Sequence, residues 1–217
     1  MSELKIEKMI IGSVSTNTYY IYDDSKNAVI IDPAIDGKDI YNKLLSKGIM
    51  IKGILLTHGH FDHIMGVNEL REKAAVKVYA LDEEKDVLEN ATVNESEYIG
   101  CPCTVKPDCY VHDGDEIDIE GIRCTVIHTP GHTKGSCCFY FEDNKILISG
   151  DTLFRLSVGR TDLPTGSGGA LMRSIKEKLF VLPDDVKVYP GHGDSTEIGD
   201  EKMGNPFFGC NYDVTII

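Results

Sequence analysis

The sequence predicts an α+β fold in which two mixed β-sheets pack face to face and helices cover their outer faces. In each half of the chain, segments with strand character come before segments with helical periodicity. Several of the apolar strands run directly into loops that combine His or Asp with Gly or Pro. A chain of 217 residues can bury a substantial core, and we expect a single domain spanning residues 1–217.

In the first half of the chain, runs of β-branched and aromatic side chains predict five strands. These strands lie at residues 4–11, 18–22, 28–31, 51–56 and 77–80. Apolar residues at helical spacing predict three helices, at residues 39–47, 66–74 and 82–90. Gly48 follows the first of these helices and suits its C terminus. The first half therefore begins as a meander and continues with alternating helices and strands.

The second half of the chain repeats this plan with five strands and one helix. The strands are predicted at residues 116–119, 122–127, 136–141, 146–148 and 187–189. Glu120 and Gly121 separate the first two of them and predict a tight hairpin. The helix is predicted at residues 169–180, where Leu171, Ile175 and Leu179 share one face.

The acidic composition limits the partners of the protein. The chain has 35 acidic and 22 basic residues and a formal net charge of −13, which opposes binding to nucleic acid. No apolar run reaches the roughly 20 residues that a membrane-spanning helix needs, and residues 1–5 do not resemble the start of a signal peptide. We therefore expect a cytoplasmic monomer or small homo-oligomer that acts on a small molecule, without nucleic acid or membrane partners.

The seven cysteines are expected to stay reduced in that compartment. Their tightest cluster consists of Cys101, Cys103 and Cys109. This cluster lacks the C-x₂-C spacing and the fourth ligand of a structural zinc site, so ordinary thiols are the favoured interpretation.

Four predicted strands end in loops that carry His or Asp. The strand at residues 51–56 leads into THGHFDH, and the strand at residues 122–127 leads into HTPGHT. Two later strands lead into SGD and YPGH. Imidazole and carboxylate groups suit Zn²⁺, Fe and Mn, and loops beyond strand ends often carry binding groups. A lone H-x-H pattern can arise by chance, but H-x-H-x-D-H followed by three more such loops indicates a metal site.

These motifs resemble those of the metallo-β-lactamase-fold hydrolases, and most closely those of the compact glyoxalase II-like (hydroxyacylglutathione hydrolase-like) proteins. The resemblance covers nearly the whole chain and is carried most specifically by THGHFDH, HTPGHT, SGDTLF, GRTDLP and YPGHG. It implies the αββα sandwich of that family, in agreement with the order of strands and helices.

The resemblance also implies the ligands of two divalent metal ions. A first ion would be held by His58, His60 and His132, and a second by Asp62, His63 and His192, with Asp151 bridging both. Zinc is the expected metal, with iron or manganese as alternatives. Asp62 and Asp151 would serve catalysis together with a hydroxide between the ions, which attacks the carbonyl of a substrate. The implied reaction is hydrolysis of a 2-hydroxyacyl thioester to a hydroxy acid and a thiol.

Other polar residues near these motifs allow more than one interpretation. Arg160 is a candidate for binding a substrate carboxylate, but a salt bridge to Asp162 is an equal alternative. Asp32 could orient a ligand histidine or simply form a turn. We expect His128 to be structural rather than a ligand, and His112 to lie exposed in a turn.

Several alternative functions remain open at this point. A persulfide dioxygenase on the same fold would use one iron held by His58, His132 and Asp151. A lactonase or β-lactamase is the next possibility, while RNA processing is disfavoured by the net charge. A metal-binding protein without activity is disfavoured by the redundant ligand set. Only 25 residues follow His192, whereas long-form glyoxalase II enzymes have a C-terminal helical domain, so we expect weak dependence on glutathione.

Overall fold

Two six-stranded β-sheets form the centre of the computed structural model, which describes residues 4–208. The first sheet contains, in spatial order, β1 (Lys5–Ile11), β2 (Thr16–Tyr22), β3 (Asn27–Ile31), β4 (Met50–Leu56), β5 (Lys77–Leu81) and β6 (Cys109–Val111). Strands β1 to β3 pair antiparallel, whereas β3 to β6 pair parallel. This sheet is therefore mixed, as predicted.

The second sheet is also mixed. Its strands, in chain order, are β7 (Glu116–Ile119), β8 (Ile122–His128), β9 (Cys137–Phe141), β10 (Ile146–Gly150), β13 (Lys187–Pro190) and β14 (Thr196–Glu197). In space they follow the order β14, β13, β10, β9, β8, β7, and only the pair of β10 and β13 is parallel. Between β10 and β13, the short strands β11 (Leu153–Phe154) and β12 (Ser157–Val158) form a small ribbon of their own.

Helices and helical turns connect these strands. The helices are α1 (Gly37–Ser46), α2 (Phe61–Ile64), α3 (Val67–Ala74), α4 (Lys85–Leu88), α5 (Gly168–Ser174) and α6 (Ile198–Gly204). A 3₁₀ turn, Asp82–Glu84, precedes α4, and α5 continues as a π-helical segment, Ile175–Leu179.

Three apolar layers hold sheets and helices together. Side chains of β2 alternate between two of them, as the pleat of a strand requires. Tyr20 packs in a layer with Ile40 and Leu44 of α1, whereas Tyr19 and Ile21 face the space between the sheets. The layer between the sheets also contains Ile31, Leu55, Val126, Phe139 and Ile148. The third layer contains Tyr140, Leu147, Val188, Leu171 and Ile175. The predicted αββα sandwich is thus confirmed.

Several short elements were not predicted. These are β6, the ribbon of β11 and β12, β14, α6 and α2, which contains Asp62 and His63 where the sequence predicted a loop. The strands among them have two or three residues, too few to show an alternating pattern, and they form because a neighbouring strand supplies the hydrogen bonds. The helix predicted at residues 82–90 is also wrong in length, because the structure has only the 3₁₀ turn and the four residues of α4 there.

The helices and the cysteines of the described residues bear on membrane crossing and on the predicted thiols. Within residues 4–208, none of the helices combines the length and apolar character that crossing a membrane requires. The six cysteines of this part of the chain are free thiols, and Cys101 is exposed. No group of potential metal ligands found there includes Cys101, Cys103 or Cys109. The C-terminal residues 209–217, including Cys210, lie outside the described residues.

Candidate metal centre

The loops that carry the predicted ligands meet at one edge of the sandwich. Strand β4 of the first sheet ends next to His58, and β8, β10 and β13 of the second sheet lead to the other ligand loops. Two backbone contacts join the sheets at this edge: the Asn17 amide donates to the Gly191 carbonyl at 2.7 Å, and the Cys137 amide donates to the Thr57 carbonyl at 2.9 Å. The ligand loops are therefore held from both sheets.

Three buried histidines form a first ligand set. Ring nitrogens of His58, His60 and His132 lie within 4.8 Å of one another, and each residue is at most 4% exposed. The Nδ1 atom of His60 lies 2.9 Å from Nε2 of His132. The Nδ1 atom of His132 lies 2.8 Å from the backbone carbonyl of Arg160, a contact that orients the ring and leaves Nε2 toward the site.

A second ligand set consists of Asp62, His63 and His192, whose ligand atoms also lie within 4.8 Å of one another. The Oδ2 atom of Asp62 is 3.4 Å from Nε2 of His63 and 3.3 Å from Nε2 of His192. Thr16 donates a hydrogen bond of 2.7 Å to the same oxygen. This contact fixes the Asp62 carboxylate from β2.

Asp151 lies between the two sets. One carboxylate oxygen, Oδ1, is 3.5 Å from Nε2 of His63 in the second set. The other, Oδ2, is 3.6 Å from Nε2 of His132 in the first set and 3.5 Å from Nε2 of His192. The structure thus brings together all seven residues that the sequence predicted as ligands, with Asp151 between the two sets.

The donor atoms of this site fit divalent cations. Among the described residues, four of the five buried side-chain polar atoms without a hydrogen-bond partner belong to the predicted ligands. They are Nε2 of His58, His60 and His63, and Oδ1 of Asp151. Buried polar atoms are rarely left without a partner, because the lost hydration is costly. A cluster of unpartnered nitrogen and oxygen lone pairs is what a metal ion would satisfy.

The charges of the two sets differ. Burial lowers the pKa of His58 far below its ordinary value, and burial together with His132 lowers the pKa of His60 to about 3. Both rings are therefore neutral, which is the form that binds metal. Burial acts in the same direction on His63, but the carboxylates of Asp62 and Asp151 outweigh it and raise the pKa of His63 to about 10. The second set thus attracts positive charge.

Asp32 has the first of the two roles that the sequence left open, since it orients a ligand histidine and no turn is formed at this residue. Its backbone has a φ of +51°, the left-handed region that Asp adopts more readily than most residues. Its carboxylate accepts hydrogen bonds from the Thr57 amide at 2.8 Å and the Thr57 hydroxyl at 2.6 Å. Oδ2 also lies 2.9 Å from Nδ1 of His63. This contact orients His63 with Nε2 toward the second set.

Glycines allow the ligand loops to approach each other closely. A Cβ atom on Gly191 would lie 2.2 Å from Oδ1 of Asp151 and 2.7 Å from Cε1 of His63. A Cβ atom on Gly131, whose φ is +144°, would lie 2.3 Å from the backbone nitrogen of Leu171 in α5. Any side chain at these two positions would push a ligand loop away from the site.

A cavity of about 450 Å³ opens over the two ligand sets. Its apolar lining comes from Val14, Phe61, Phe154, Val158 and Leu163. Glu95 and Arg160 also line it. The Arg160 guanidinium donates two hydrogen bonds, each 2.8 Å long, to the carboxylate of Asp162. The salt bridge considered for Arg160 is therefore present, and the role of this residue in substrate binding stays a prediction.

The two other histidines lie apart from both ligand sets. Nε2 of His128 is 2.9 Å from the backbone carbonyl of Lys134, which agrees with the structural role expected for it. His112 is exposed, also as expected.

Three residues that contact the ligand loops were missed by the sequence analysis: Thr16, Thr57 and Glu84. Thr16 holds Asp62, and the Thr57 hydroxyl lies 3.1 Å from Nδ1 of His58. Glu84 is buried and accepts hydrogen bonds from two of the ligand loops. Thr57 adjoins the first motif and could have been suspected on that ground. The other two are far from the ligands in sequence and carry no local signal.

With this geometry in place, comparison with known proteins identifies the family. The model of the metallo-beta-lactamase superfamily matches residues 11–192, which include all seven candidate ligands. The chain belongs to this superfamily. The probable metallo-hydrolase YqgX of Bacillus subtilis (strain 168) is 39% identical over 206 residues, covering 94% of this chain and 97% of the relative. The protein is thus a metal-dependent hydrolase of the metallo-beta-lactamase superfamily.

Further relatives differ in the activities that their names state. Hydroxyacylglutathione hydrolase GloC of Haemophilus influenzae (strain ATCC 51907 / DSM 11121 / KW20 / Rd) is 33% identical over 207 residues, covering 94% of this chain and 98% of the relative. Among solved structures, the BLEG-1 B3 metallo-beta-lactamase has a TM-score of 0.90 at 38% identity, covering 94% and 99% of the two chains. TTHA1623, in a di-iron-bound form, has a TM-score of 0.83 at 33% identity, covering 93% and 99%.

Proposed function

We propose that this metallohydrolase cleaves thioesters, with 2-hydroxyacyl thioesters as the substrate class and two divalent ions, expected to be zinc, as cofactors. The observation that carries the proposal is the pair of ligand sets joined by Asp151 at the base of a largely apolar cavity. The likeness to a hydroxyacylglutathione hydrolase supports the thioester as the bond that is cleaved.

The residues of the chain divide the work between metal binding and orientation. His58, His60 and His132 would hold one ion and Asp62, His63 and His192 the other, with Asp151 contacting both. When bound, such ions lower the pKa of water and polarise a carbonyl oxygen. Asp62 and Asp151 present carboxylate oxygens to the cavity, where they can accept a hydrogen bond from the attacking water.

The leaving group explains why this site needs no strong general acid. A thiol has a pKa of roughly 8.5, so a thiolate can leave without being protonated first. Among the described residues that line the cavity, Glu95 is the single carboxyl group that is not a candidate ligand. An ester or amide would release a far more basic group, and it would place a stronger demand on such an acid. A thioester can therefore be cleaved without a contribution from Glu95.

The charges at the mouth of the cavity give a reason to expect weak recognition of glutathione. Glutathione carries carboxylates, and Arg160 is the basic residue among the cavity-lining residues that the structure describes. Its guanidinium is already paired with Asp162, and Glu95 adds a further negative charge. A substrate carboxylate would have to displace Asp162 from Arg160. The apolar wall formed by Phe61 and Phe154 is available without such competition.

The direct test compares lactoyl thioesters of glutathione and of the smaller, uncharged thiol N-acetylcysteamine. We expect both to be hydrolysed by the metal-loaded enzyme, with kcat/KM values within about tenfold of each other, which corresponds to about 1.4 kcal/mol in transition-state binding. An enzyme with two bound ions that hydrolyses neither thioester would refute the proposed function. If Arg160→Ala raises KM strongly for the glutathione thioester alone, glutathione is recognised and Arg160 is its anchor.

The persulfide dioxygenase interpretation makes a different set of predictions. It requires one iron held by His58, His132 and Asp151, and consumption of oxygen. The three residues of the second ligand set, of which His63 is buried and Asp62 and His192 are partly exposed, lie next to the first set, an arrangement that such a single site does not need. Oxygen uptake with a persulfide substrate, together with a metal content of one iron per chain, would favour this alternative over hydrolysis.

A further inference from the structure

Glu84 is a buried carboxyl group behind the first ligand set, and the proposed mechanism does not use it. It ends the 3₁₀ turn that follows β5 and is 1% exposed. None of its hydrogen-bond partners is a cation. Burial acts to raise the pKa of Glu84, whereas the hydrogen bonds from Gly59, Thr133 and Gly135 act to lower it and favour the charged carboxylate. A buried carboxyl without a cationic partner is costly, so its presence calls for a physical reason.

The contacts of Glu84 join two ligand loops. Its Oε1 atom accepts a hydrogen bond of 2.7 Å from the amide of Gly59, which lies between His58 and His60. Its Oε2 atom accepts hydrogen bonds of 2.9 Å from the Thr133 hydroxyl and from the Gly135 amide. Thr133 directly follows His132. One side chain thus binds the segments that carry all three histidines of the first set.

The backbone around Glu84 is packed as closely as glycine allows. A Cβ atom on Gly135 would lie 2.2 Å from the backbone nitrogen of Glu84. A Cβ atom on Gly59 would lie 2.9 Å from Cγ1 of Val87 and 3.1 Å from the backbone nitrogen of Leu88. Both loops therefore rest directly on the segment that contains Glu84, and their separation depends on it.

We propose that Glu84 is a positioning residue, which sets the spacing between the loop of His58 and His60 and the loop of His132, and thereby the affinity of the first ligand set for its metal ion. The three contacts require an acceptor at both carboxyl oxygens. A side chain of the same size that has an acceptor at only one end would place an N–H donor opposite the backbone N–H of Gly59 or Gly135. The spacing of the histidines would then relax at that loop.

Glu84→Gln is the matching variant, because its amide nitrogen must face the N–H of either Gly59 or Gly135. The apoprotein is titrated with Zn²⁺ in competition with a chelator, and with Co²⁺ while its visible absorption is recorded. We expect the affinity for one of the two ions to fall by about 10- to 100-fold, as for other residues that orient metal ligands. The Co²⁺ absorption of that site should change, whereas binding of the other ion should stay the same.

Glu201→Gln is the matched control. Glu201 is also fully buried, and it accepts hydrogen bonds from the Leu156 amide, the Thr196 hydroxyl and the Asn205 side chain. None of these partners lies next to a ligand of the first set. We expect Glu201→Gln to lower stability against urea without changing the metal affinity or the Co²⁺ spectrum.

Thr133→Val provides a second variant in case Glu84→Gln fails to fold. It removes one of the three hydrogen bonds and leaves the carboxyl group in place, so we expect a smaller loss of affinity at the same site. Wild-type metal affinity and a wild-type Co²⁺ spectrum in the folded variants would overturn the proposal. An equal loss of affinity in Glu201→Gln would also overturn it, because the effect would then follow from general destabilisation.

Discussion

At the scale of single residues, Asp151 has the contacts that matter most for the proposed chemistry. It lies within 3.6 Å of ligand nitrogens in both sets. Of the other candidate ligands, His58 and His63 also form a third group with Asp32, whereas His60, Asp62, His132 and His192 belong to one group each. A change at Asp151 should therefore affect both ions, whereas a change at one histidine should affect mainly its own.

We expect Asp151→Asn to lower kcat by roughly a thousandfold or more, since electrostatic and metal activation normally supply that much. The loss should exceed that of any single ligand histidine changed to Ala. At least one ion should also be lost, because two cations at short separation repel each other even at an effective dielectric near 20. Metal content, circular dichroism and thioester hydrolysis are measured on one preparation.

Asp118→Asn is the control for this change, because Asp118 lies exposed in the hairpin of β7 and β8 and should be neutral for activity. Near-normal turnover of Asp151→Asn with two ions still bound would require a different ligand assignment.

At the scale of secondary-structure elements, Glu7 links the edge of the first sheet to α1. It accepts hydrogen bonds from the hydroxyl groups of Tyr20 and Tyr22 on β2, and from Lys47 at 2.9 Å just after α1. The hydrogen bonds from Lys47 and Tyr20 lower the pKa of Glu7 from 4.5 to about 2. The link is partly exposed, with 43% of the Glu7 side chain accessible.

The sign of the resulting pH dependence follows from this lowered pKa. Glu7 stabilises the folded state above its unfolded pKa of 4.5, and this stabilisation is lost as the pH falls from there to about 2. Because the pair is exposed to solvent, we expect Glu7→Gln to lower the free energy of unfolding by at most about 1 kcal/mol at pH 7. Urea unfolding at pH 7 and pH 2 measures this loss of stability, and the difference from wild type should be smaller at pH 2 than at pH 7.

Lys47→Met serves as the partner variant for this test. If the two residues act through their mutual contact, the double variant should lose less stability than the two single variants added together. Fully additive losses would show that the contact contributes nothing.

At the scale of the whole molecule, the metal ions and the fold are separable. The apolar layers within and between the sheets contain no ligand residue, so the sandwich has a core that does not depend on metal. The ligand loops, in contrast, hold unpartnered lone pairs and an excess of carboxylate around the second set. Metal binding should therefore stabilise these loops more than the sheets.

We expect the fully loaded protein to bind close to two ions per chain and to show a higher Tm than the apoprotein, because a ligand that binds only the folded state stabilises it. After chelation, far-ultraviolet circular dichroism should remain close to that of the loaded protein. Metal analysis and thermal unfolding in the presence and absence of chelator provide the measurements. A reproducible content of one ion after complete loading would contradict the two-metal interpretation.

Local patterns in the sequence predicted the sandwich and the seven candidate ligands, whereas the division of these ligands into two sets bridged by Asp151 was implied by the family resemblance. Strands and helices show in the spacing of apolar residues over a few positions, and four of the seven ligands lie within the six residues from His58 to His63. The remaining three follow strand ends beside Gly or Pro, where a turn and a rigid anchor are both visible in the sequence.

Only the tertiary structure decided how these groups are supported. Glu84 is 25 residues from Gly59 and 51 from Gly135, and Thr16 is 46 residues from Asp62, so no local pattern connects them. Arg160 and Asp162 are close in sequence. Whether the Arg160 guanidinium pairs with Asp162 or stays free nevertheless depends on the shape of the loop. Short strands such as β6 and β14 exist because a neighbouring strand completes their hydrogen bonds. Contacts of this kind are set when distant segments pack together, and a single sequence contains no periodicity from which they can be predicted.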